Sequence, residues 1–194
     1  TIVELEADHV LLATGSQWLR NGTGRHFVNP APIVEQADVL TPDDIMAGRR
    51  PRAKDVVLYD DDHYYMGGVL AELLARDGHA VTLVTPAAMA YAFTKASLEQ
   101  KAIQGRLLKL GVKILASHAV SAISHDHVTL DCVYTGAAHA LAAGSTVLVT
   151  ARAPVDGLWP ALRGAGLAAS RAGDCYGPGT IAAAVHSGRN FAEN

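Results

Sequence analysis

Cysteine is scarce in this chain of 194 residues, which contains only Cys132 and Cys175. The two residues are far apart, and neither is part of a CxxC pair or a Cys/His cluster of the kind that zinc sites use. So few thiols exclude a disulfide framework and favour a reducing compartment. We therefore predict a cytoplasmic location.

Charged residues and long apolar runs are limited as well. Charged residues make up 18% of the chain and the formal net charge is −3, so no basic field points to nucleic acid or to an anionic membrane. The longest apolar runs are far too short to span a bilayer, and the N-terminus has no signal-peptide pattern. The hydrophobic fraction of 49% is ample for a core of one domain or two small ones.

The chain begins at Thr1, without a methionine and directly in a strand-like stretch. We interpret it as a fragment of a longer protein. An incomplete domain exposes apolar surface that its absent part normally covers, so we expect a homo-oligomer.

Residues 54–85 are the stretch around which the rest is organised. A short apolar run, a polar turn, an amphipathic helix ending at Gly78 and a second apolar run predict a βαβ unit. The helix face predicted to pack on the sheet consists of Val69, Leu70, Leu73 and Leu74.

The turn inside this unit departs from the dinucleotide-binding pattern Gly-x-Gly-x-x-Gly, whose glycines let backbone approach a pyrophosphate. The corresponding positions are Asp60, Asp62 and Tyr65. Their side chains would occupy the pyrophosphate's space, and the carboxylates, with that of Asp61, would repel it. The acid expected after the second strand is missing too, since Val84 is followed by Thr85. We predict a Rossmann-type unit without its own dinucleotide.

The Asp60–His63 cluster has two interpretations. Carboxylates and an imidazole are plausible metal ligands, but consecutive residues rarely converge on one ion, so we favour a solvated first helix turn stabilised by the helix dipole. His125-Asp126-His127 indicates a hairpin turn, and Cys175 fits a tight turn better than a nucleophile's position. No triad, carboxylate pair or P-loop is present, so we predict no catalytic residue and no metal ligand in this chain.

Other elements follow from periodicity and turn residues. Thr14 and Gly15 end a buried strand, where an ordinary turn is favoured over a ligand contact. Gly173 and Asp174 begin a glycine-rich turn that leads into a helix, whose first amides near 179–181 form a potential anion or flavin-edge site. The remaining predictions are strands at 1–6, 10–13, 112–117, 118–124, 128–135 and 145–151, a loop at 16–40, and helices at 41–48 and 94–110. The helix at 41–48 has Thr41 as its N-cap and Asp44 in the capping-box position.

Three of these segments together resemble a known family: Ala13-Thr14-Gly15, the altered βαβ unit, and Gly173-Asp174 with residues 178–182. They are similar to the C-terminal half of the trimethylamine dehydrogenase family of flavoproteins, which includes dimethylamine and histamine dehydrogenases and is related to 2,4-dienoyl-CoA reductase. The resemblance extends over essentially the whole chain. Residues 60–66 resemble the amine dehydrogenase branch, which also replaces the second glycine fingerprint with acidic and aromatic residues.

The resemblance implies an α/β fold in which a Rossmann-like, three-layer NAD(P)-binding-type domain, residues 52–151, is inserted in a partial FAD-binding-type domain, residues 1–45 and 152–194. By motif position, Thr14 and Gly15 would flank the nucleotide, and Gly173 and Asp174 would lie at its pyrophosphate or ribityl region. ADP or FAD would bind when that domain is complete. No cofactor is expected to bind the fragment alone.

The implied parent is an FMN and 4Fe-4S oxidoreductase that oxidises a small amine in an absent N-terminal barrel and passes electrons to an electron-transfer flavoprotein. This piece would supply a nucleotide-binding-like scaffold and no catalytic centre. Two alternatives stay open. One is an NAD(P)H-dependent flavin oxidoreductase domain of the 2,4-dienoyl-CoA reductase type, and the other is a non-catalytic docking module.

Overall fold

A computed structural model describes residues 2–5 and 7–193. The chain divides into two compact units, one of Thr1–Gln17 with Arg152–Asn194 and one of Trp18–Ala151. The strands are β1 (Val10–Leu12), β2 (Ser16–Trp18), β3 (Val39–Leu40), β4 (Asp55–Asp60), β5 (Ala80–Val84), β6 (Lys113–Leu115), β7 (His118–Ile123), β8 (His127–Cys132), β9 (Ala138–Ala142), β10 (Ser145–Val149), β11 (Arg152–Pro154) and β12 (Ala169–Arg171). The α-helices are α1 (Pro42–Met46), α2 (Tyr65–Arg76), α3 (Gln100–Lys109), α4 (Leu158–Gly164) and α5 (Ile181–Glu193).

The Trp18–Ala151 unit is built on a five-stranded parallel sheet with the order β3-β10-β4-β5-β6. At its centre Leu58 pairs with Val147 on one side and with Leu83 on the other. Every residue of β10, and all of β4 except Asp55, is buried, as continuous apolar runs in a parallel sheet require. The predicted α/β class with a parallel sheet is confirmed.

Helix α2 packs on one face of this sheet through Gly67, Leu70, Ala71 and Leu74, which are buried. The predicted face was wrong at Val69, whose side chain is 58% exposed. Gly67 and Ala71 are small, so the side of the helix that carries them can pack closely on the sheet. Val69 lies on another side of the helix and faces solvent. The predicted stop at Gly78 is correct, since this residue has φ +92°.

An antiparallel sheet, β7-β8-β9, covers the opposite face with Val120, Ile123, Val128 and Leu130. Residues 125–127 form the predicted hairpin turn, in which the Ser124 amide donates to the His127 carbonyl at 2.9 Å. The third strand of this sheet, β9, was not predicted, because it is rich in alanine and mostly exposed. The unit therefore has three layers: helices, parallel sheet and antiparallel sheet.

The helix predicted at 94–110 is shorter in the structure. A 3-10 turn occupies Ala92–Lys95, and α3 starts only at Gln100. Leu98 interrupts the helical path because its φ is +64°, in the left-handed region. The loop predicted at 16–40 also contains the short strands β2 and β3.

The unit of residues 1–17 and 152–194 has two small sheets, in which β1 pairs in parallel with β12 and β2 pairs with β11. Leu12, Leu162 and Cys175 form its buried cluster. The strand predicted at 1–6 was wrong, because Val3–Leu5 form a 3-10 turn closed by the Leu5 amide on the Ile2 carbonyl. Thr1 and Glu6, which belonged to that prediction, lie outside the described residues.

Asp44 holds the start of α1, as the capping pattern predicts. Its carboxylate accepts hydrogen bonds from the Thr41 amide at 2.8 Å and the Thr41 hydroxyl at 3.1 Å, and it pairs with Arg20 and Arg49. Burial alone raises the pKa of Asp44, but the Arg20 and Thr41 hydrogen bonds outweigh it and lower the pKa well below the usual range. The charged carboxylate is therefore stabilised by folding.

We expect Asp44→Ala to lower the free energy of unfolding by about 2 kcal/mol at pH 7, because it removes a cap and leaves charged donors unpaired. Urea unfolding at pH 7 measures this loss. Glu35→Ala, an exposed carboxylate in a loop, is the control and should change little. Because the Asp44 pKa is lowered in the folded chain, its contribution is present above pH 4 and shrinks as the pH falls below that value. An undiminished effect at pH 3 would contradict this account.

Candidate functional site

The carboxyl ends of β4, β5 and β10 meet at one edge of the parallel sheet. Asp60 is the last residue of β4, Thr85 follows β5 and Thr150 follows β10. From β4 the chain continues to β5 and β6 on one side, whereas β10 and β3 lie on the other. This change of direction is the topological switch point at which open α/β sheets bind ligands.

Asp60, Asp61, Asp62 and His63 connect β4 to α2 at this edge, and all four are buried. The expectation of a solvated turn was therefore wrong. Asp60 Oδ1 accepts the His63 amide at 3.1 Å, and Asp61 Oδ2 accepts the His26 amide at 2.8 Å. These two carboxylates therefore accept hydrogen bonds from backbone amides of the turn itself and of the loop that carries His26. A solvated turn would have received those hydrogen bonds from water.

The helix-dipole role of these carboxylates was also wrong. Helix α2 begins at Tyr65, and its first turn contains no acidic residue. Asp61 and Asp62 instead donate their amides to the Val149 carbonyl of β10, at 2.9 and 3.2 Å. The acidic turn is therefore bound to the neighbouring strand rather than to the helix end.

His63 has a left-handed backbone, with φ +66°. Its Nε2 lies 3.4 Å from Asp61 Oδ1, and its Nδ1 lies 3.4 Å from the Thr85 hydroxyl. The Phe93 ring meets the imidazole edge to face, with centroids 5.4 Å apart. A strained backbone held by surrounding contacts is typical of sites under functional constraint.

Two glycines in the first turn of α2 lie against side chains of the same unit. A methyl group on Gly67 would lie 2.7 Å from the Asp60 carboxyl carbon, and one on Gly68 would lie 2.7 Å from Cε1 and Cζ of Tyr91. Glycines at such a position normally allow a phosphate or a strand to approach the helix closely. Here they accommodate Asp60 and Tyr91, so the chain's own side chains occupy the space beside the helix.

The electrostatics of the turn follow from this burial. Burial raises the pKa of Asp60 to about 7, and the His63 amide offsets only part of the effect. Burial, with the nearby Asp60 carboxyl as the next cause, also raises the pKa of Tyr91 above its ordinary value. Asp60 Oδ2 and the Tyr91 hydroxyl are buried without a hydrogen bond to any residue that the structure describes. A further anion at this position would add to a charge that is already costly to bury.

In the described ranges, 2–5 and 7–193, no group of three or more His, Cys, Asp or Glu side chains is placed to hold a metal ion. In the same ranges no helix is sufficiently long and apolar to cross a bilayer.

The other unit contains a pocket of about 450 Å³ beside the glycine-rich turn. Three of the four predicted site residues, Gly15, Gly173 and Asp174, line it, and Gly179, Thr180 and Ile181 line it from the start of α5. Gly15 and Gly173 both have positive φ, +79° and +60°. Thr14 is not among the lining residues, because its hydroxyl is directed to the Val155 carbonyl and to Cys175 Sγ.

Asp174 is the centre of the polar contacts in this pocket. Its Oδ2 accepts the Ser16 hydroxyl at 3.0 Å and pairs with the Arg152 guanidinium at 2.6 Å, while its Oδ1 accepts the Gly179 amide at 3.0 Å. Arg152 also donates to the Gly179 carbonyl at 2.9 Å. This network fixes the turn that precedes α5.

Sequence reasoning missed Arg152 and Ser16 in this network. Arg152 directly follows the strand predicted at 145–151 and Ser16 directly follows Gly15, so a search for polar residues next to strand-ending turns would have found both. Neither signal identifies Asp174 as their partner, because 158 residues separate Ser16 from Asp174 in the chain.

Comparison with known proteins defines the class. Residues 40–152 match the family described as OYE-like second alpha/beta domain, and the chain belongs to that family. Dimethylamine dehydrogenase from Hyphomicrobium sp. (strain x) is 31% identical over 131 residues, which are 66% of this chain and 18% of that protein. The resemblance to the amine dehydrogenase branch, predicted from residues 60–66, is confirmed.

Two solved structures are similar over nearly the whole chain. Histamine dehydrogenase from Rhizobium sp. 4-9 is 40% identical with a TM-score of 0.92, over 98% of this chain and 31% of that one. The 6-hydroxypseudooxynicotine amine oxidase of Pseudomonas geniculata N1 is 38% identical with a TM-score of 0.90, over 96% of this chain and 29% of that one. The chain thus spans less than a third of each of these relatives.

Proposed function

We propose that this chain is the nucleotide-binding-like region of an amine-oxidising oxidoreductase that uses FMN and a 4Fe-4S cluster. The observation that supports this most strongly is the closed acidic turn, in which Asp60 and Tyr91 occupy the space beside Gly67 and Gly68. The relatives named above are amine dehydrogenases and an amine oxidase. The parent reaction is oxidative N-demethylation or deamination of a small amine.

The redox centres belong to the part of the parent outside this chain. A 4Fe-4S cluster needs four thiolates, and the chain contains two cysteines. Cys175, moreover, is fully buried and within hydrogen-bonding distance of the Thr14 hydroxyl. The residues present therefore do not fit the cluster. Electrons would leave the parent through an electron-transfer flavoprotein, and the parent would be a cytoplasmic homo-oligomer.

In this proposal residues 52–151 form a Rossmann-like domain inserted in a partial FAD-binding-type domain of residues 1–45 and 152–194. The Rossmann-like domain keeps its sheet and loses its nucleotide. The other domain binds ADP or FAD when complete, with Gly15, Gly173 and Asp174 around the phosphate or ribityl region and Thr14 beside them. Support comes from the positive φ angles of both glycines and from the pocket they line.

An NAD(P)H-dependent reductase domain of the 2,4-dienoyl-CoA reductase type is the second candidate function. It requires nucleotide binding at the acidic turn despite three buried carboxyl groups. A non-catalytic docking module is the third, and it predicts capture of a partner protein by a parent that binds no nucleotide.

Calorimetric titration with ADP, FAD, NADH and NADPH in parallel tests the proposal. We expect no binding of NADH or NADPH up to about 1 mM, the limit at which −4 kcal/mol of binding free energy is detected. The fragment contains part of the FAD-type domain, so ADP and FAD are expected to bind weakly or not at all. Binding of NADH with micromolar affinity would support the reductase interpretation. It would contradict the prediction that the acidic turn excludes a dinucleotide.

A matched pair of triple variants separates the two reasons for this expectation. Changing Asp60, Asp62 and Tyr65 to glycine should create NAD(P)H binding, because it removes both the carboxylates and the side-chain volume. Changing them instead to asparagine, asparagine and phenylalanine removes the charges and keeps the side-chain volume. Binding by the glycine variant alone would identify steric exclusion as decisive, and binding by both would identify charge.

A further inference from the structure

The outward side of α3 combines an apolar trough with basic residues. An open groove of about 620 Å³ is lined by Leu98, Lys101, Ala102, Gly105, Arg106 and Lys109, and we call this set the α3 face. The face belongs entirely to the Trp18–Ala151 unit. It lies outside the nucleotide sites discussed above.

The exposure and the backbone conformation of Leu98 are both unfavourable for the stability of the isolated chain. Its side chain is 88% exposed, although it is a large apolar residue. Its backbone is also left-handed, with φ +64°, a conformation that favours glycine or asparagine. A residue that is unfavourable on both counts is typical of a position retained for contact with something else.

The charges on α3 are of one sign. The helix contains Lys101, Arg106 and Lys109 and no acidic residue, in a chain whose net charge is −3. Glu99, which precedes the helix, accepts hydrogen bonds from the hydroxyls of Tyr65 and Ser97. Lys101 lies in the first helical turn, where the helix dipole favours an acid. Arg106 pairs with Glu72 at 2.9 Å. Lys101 and Lys109 are exposed at the two ends of the groove.

The floor of the groove is made of small residues. Ala102 and Gly105 are three positions apart on the helix, so they lie on the same side. A methyl group added to Gly105 would meet no atom within 4 Å. The face therefore offers a shallow trough next to an exposed leucine, bounded by cations.

We propose that the α3 face is a docking site for an acidic amphipathic helix of a partner protein. Apolar side chains of that helix would lie against Leu98 and the Ala102–Gly105 floor, and its flanking carboxylates would face Lys101 and Lys109. This is the helix-in-groove mode, in which complementary charge sets specificity and rate of association. A symmetric contact between two copies is disfavoured, because it would bring like charges of the same face together.

Binding of a synthetic peptide tests this proposal on the chain as it stands. The probe is an 18-residue helical peptide with leucines along one face and glutamates on both flanks, and its companion has every glutamate replaced by glutamine. We expect the acidic peptide to bind with a dissociation constant of about 50 µM at low salt, as a weak, transient contact does, and the companion about tenfold more weakly. Raising the salt to about 0.3 M should weaken the acidic peptide severalfold.

Three variants locate the site. Lys101→Glu should weaken peptide binding about tenfold, whereas Lys54→Glu, a charge reversal at an exposed site preceding β4, should leave it unchanged. Leu98→Asn should weaken binding about fivefold and also raise the thermal midpoint by about 2 °C, because asparagine accepts the left-handed backbone. If Leu98 had only a structural role, its replacement would not both weaken peptide binding and raise the thermal midpoint.

Several outcomes would overturn the proposal. Equal binding of both peptides, or no effect of Lys101→Glu and Leu98→Asn, would exclude an acidic helix at this face. Stronger capture by phosphatidylserine vesicles or by duplex DNA, lost in Lys101→Glu, would replace the proposal with a general anion surface. Self-association abolished by Lys101→Glu would identify a second copy as the occupant. Peptide binding is measured without nucleotide or turnover, so its result is independent of the proposed function.

Discussion

Replacing Asp60 with asparagine is expected to raise the free energy of unfolding by roughly 4 kcal/mol at pH 8 and to change it little at pH 4. Burial raises the pKa of Asp60 from 3.8 to about 7 in the folded chain. A shift of about three pH units is worth roughly 4 kcal/mol, because each unit corresponds to 1.36 kcal/mol. Asparagine has nearly the same shape and carries no charge to bury.

The sign of the pH dependence follows from proton linkage. Between pH 4 and 7 the folded chain holds a proton on Asp60 that the unfolded chain has lost, so stability falls as the pH rises through this range. The Asp60 contribution is fully present below pH 4 and is lost above about pH 7. Asp44 behaves in the opposite sense, so the contributions of these two carboxylates together are largest near pH 4.

Urea unfolding of the wild type and of Asp60→Asn at pH 4.5, 6, 7 and 8 measures this effect. The wild type should lose stability over the series, and the variant should lose much less. Asp55→Asn, at the exposed start of the same strand, is the matched control and should follow the wild type. If Asp60→Asn kept the wild-type slope, the burial of Asp60 would not be the source of the pH dependence.

Gly68→Ala should lower the free energy of unfolding by about 2 kcal/mol, within the roughly 1 to 3 kcal/mol that overpacking typically costs. The added methyl group would lie 2.7 Å from two ring carbons of Tyr91 and 2.8 Å from its hydroxyl oxygen. Tyr91 is fully buried, so the ring has little room to move. The ordinary gain from alanine in a helix is too small to offset this clash.

Gly105→Ala provides the matched comparison, since this glycine also lies inside a helix but has open space around it. It should raise the free energy of unfolding by about 0.5 to 1 kcal/mol. A double-mutant cycle of Gly68→Ala with Tyr91→Leu should give a coupling of at least about 1 kcal/mol, because leucine relieves the contact. Similar effects of the two glycine substitutions would show that Tyr91 does not restrain Gly68.

The sequence patterns predicted those parts of the fold that are set by residues close together in the chain. The apolar runs of β4, β5 and β10, the helix stop at Gly78 and the cap of Asp44 on Thr41 were all visible in the sequence. β9 and the early break of α3 were not, because Ala138–Ala142 has no strong strand preference and no local rule predicts the left-handed backbone of Leu98. The 1–6 alternation was misleading because no partner strand lies beside Val3–Leu5 in the described part of the chain.

The sequence predicted which residue types form the acidic turn, but it did not predict that the turn is buried. The sequence shows that carboxylates replace glycines, which predicts the loss of a dinucleotide. Whether the turn is solvated depends on Tyr91, 31 positions from Asp60, and on the loop carrying His26, 35 positions from Asp61. Burial by distant segments cannot be inferred from the spacing of nearby residues, and for this reason the solvated interpretation failed.

The position of β10 next to β4 also bears on how this unit forms during synthesis. Strand β3 lies at the edge of the sheet and β10 is its neighbour, although about a hundred residues separate them in the chain. While the ribosome has released only the residues before Ser145, β3 has no partner and one side of β4 is open. Closure of the sheet must therefore wait for β10, and an unfinished chain exposes strand edges of the kind that chaperones protect from aggregation.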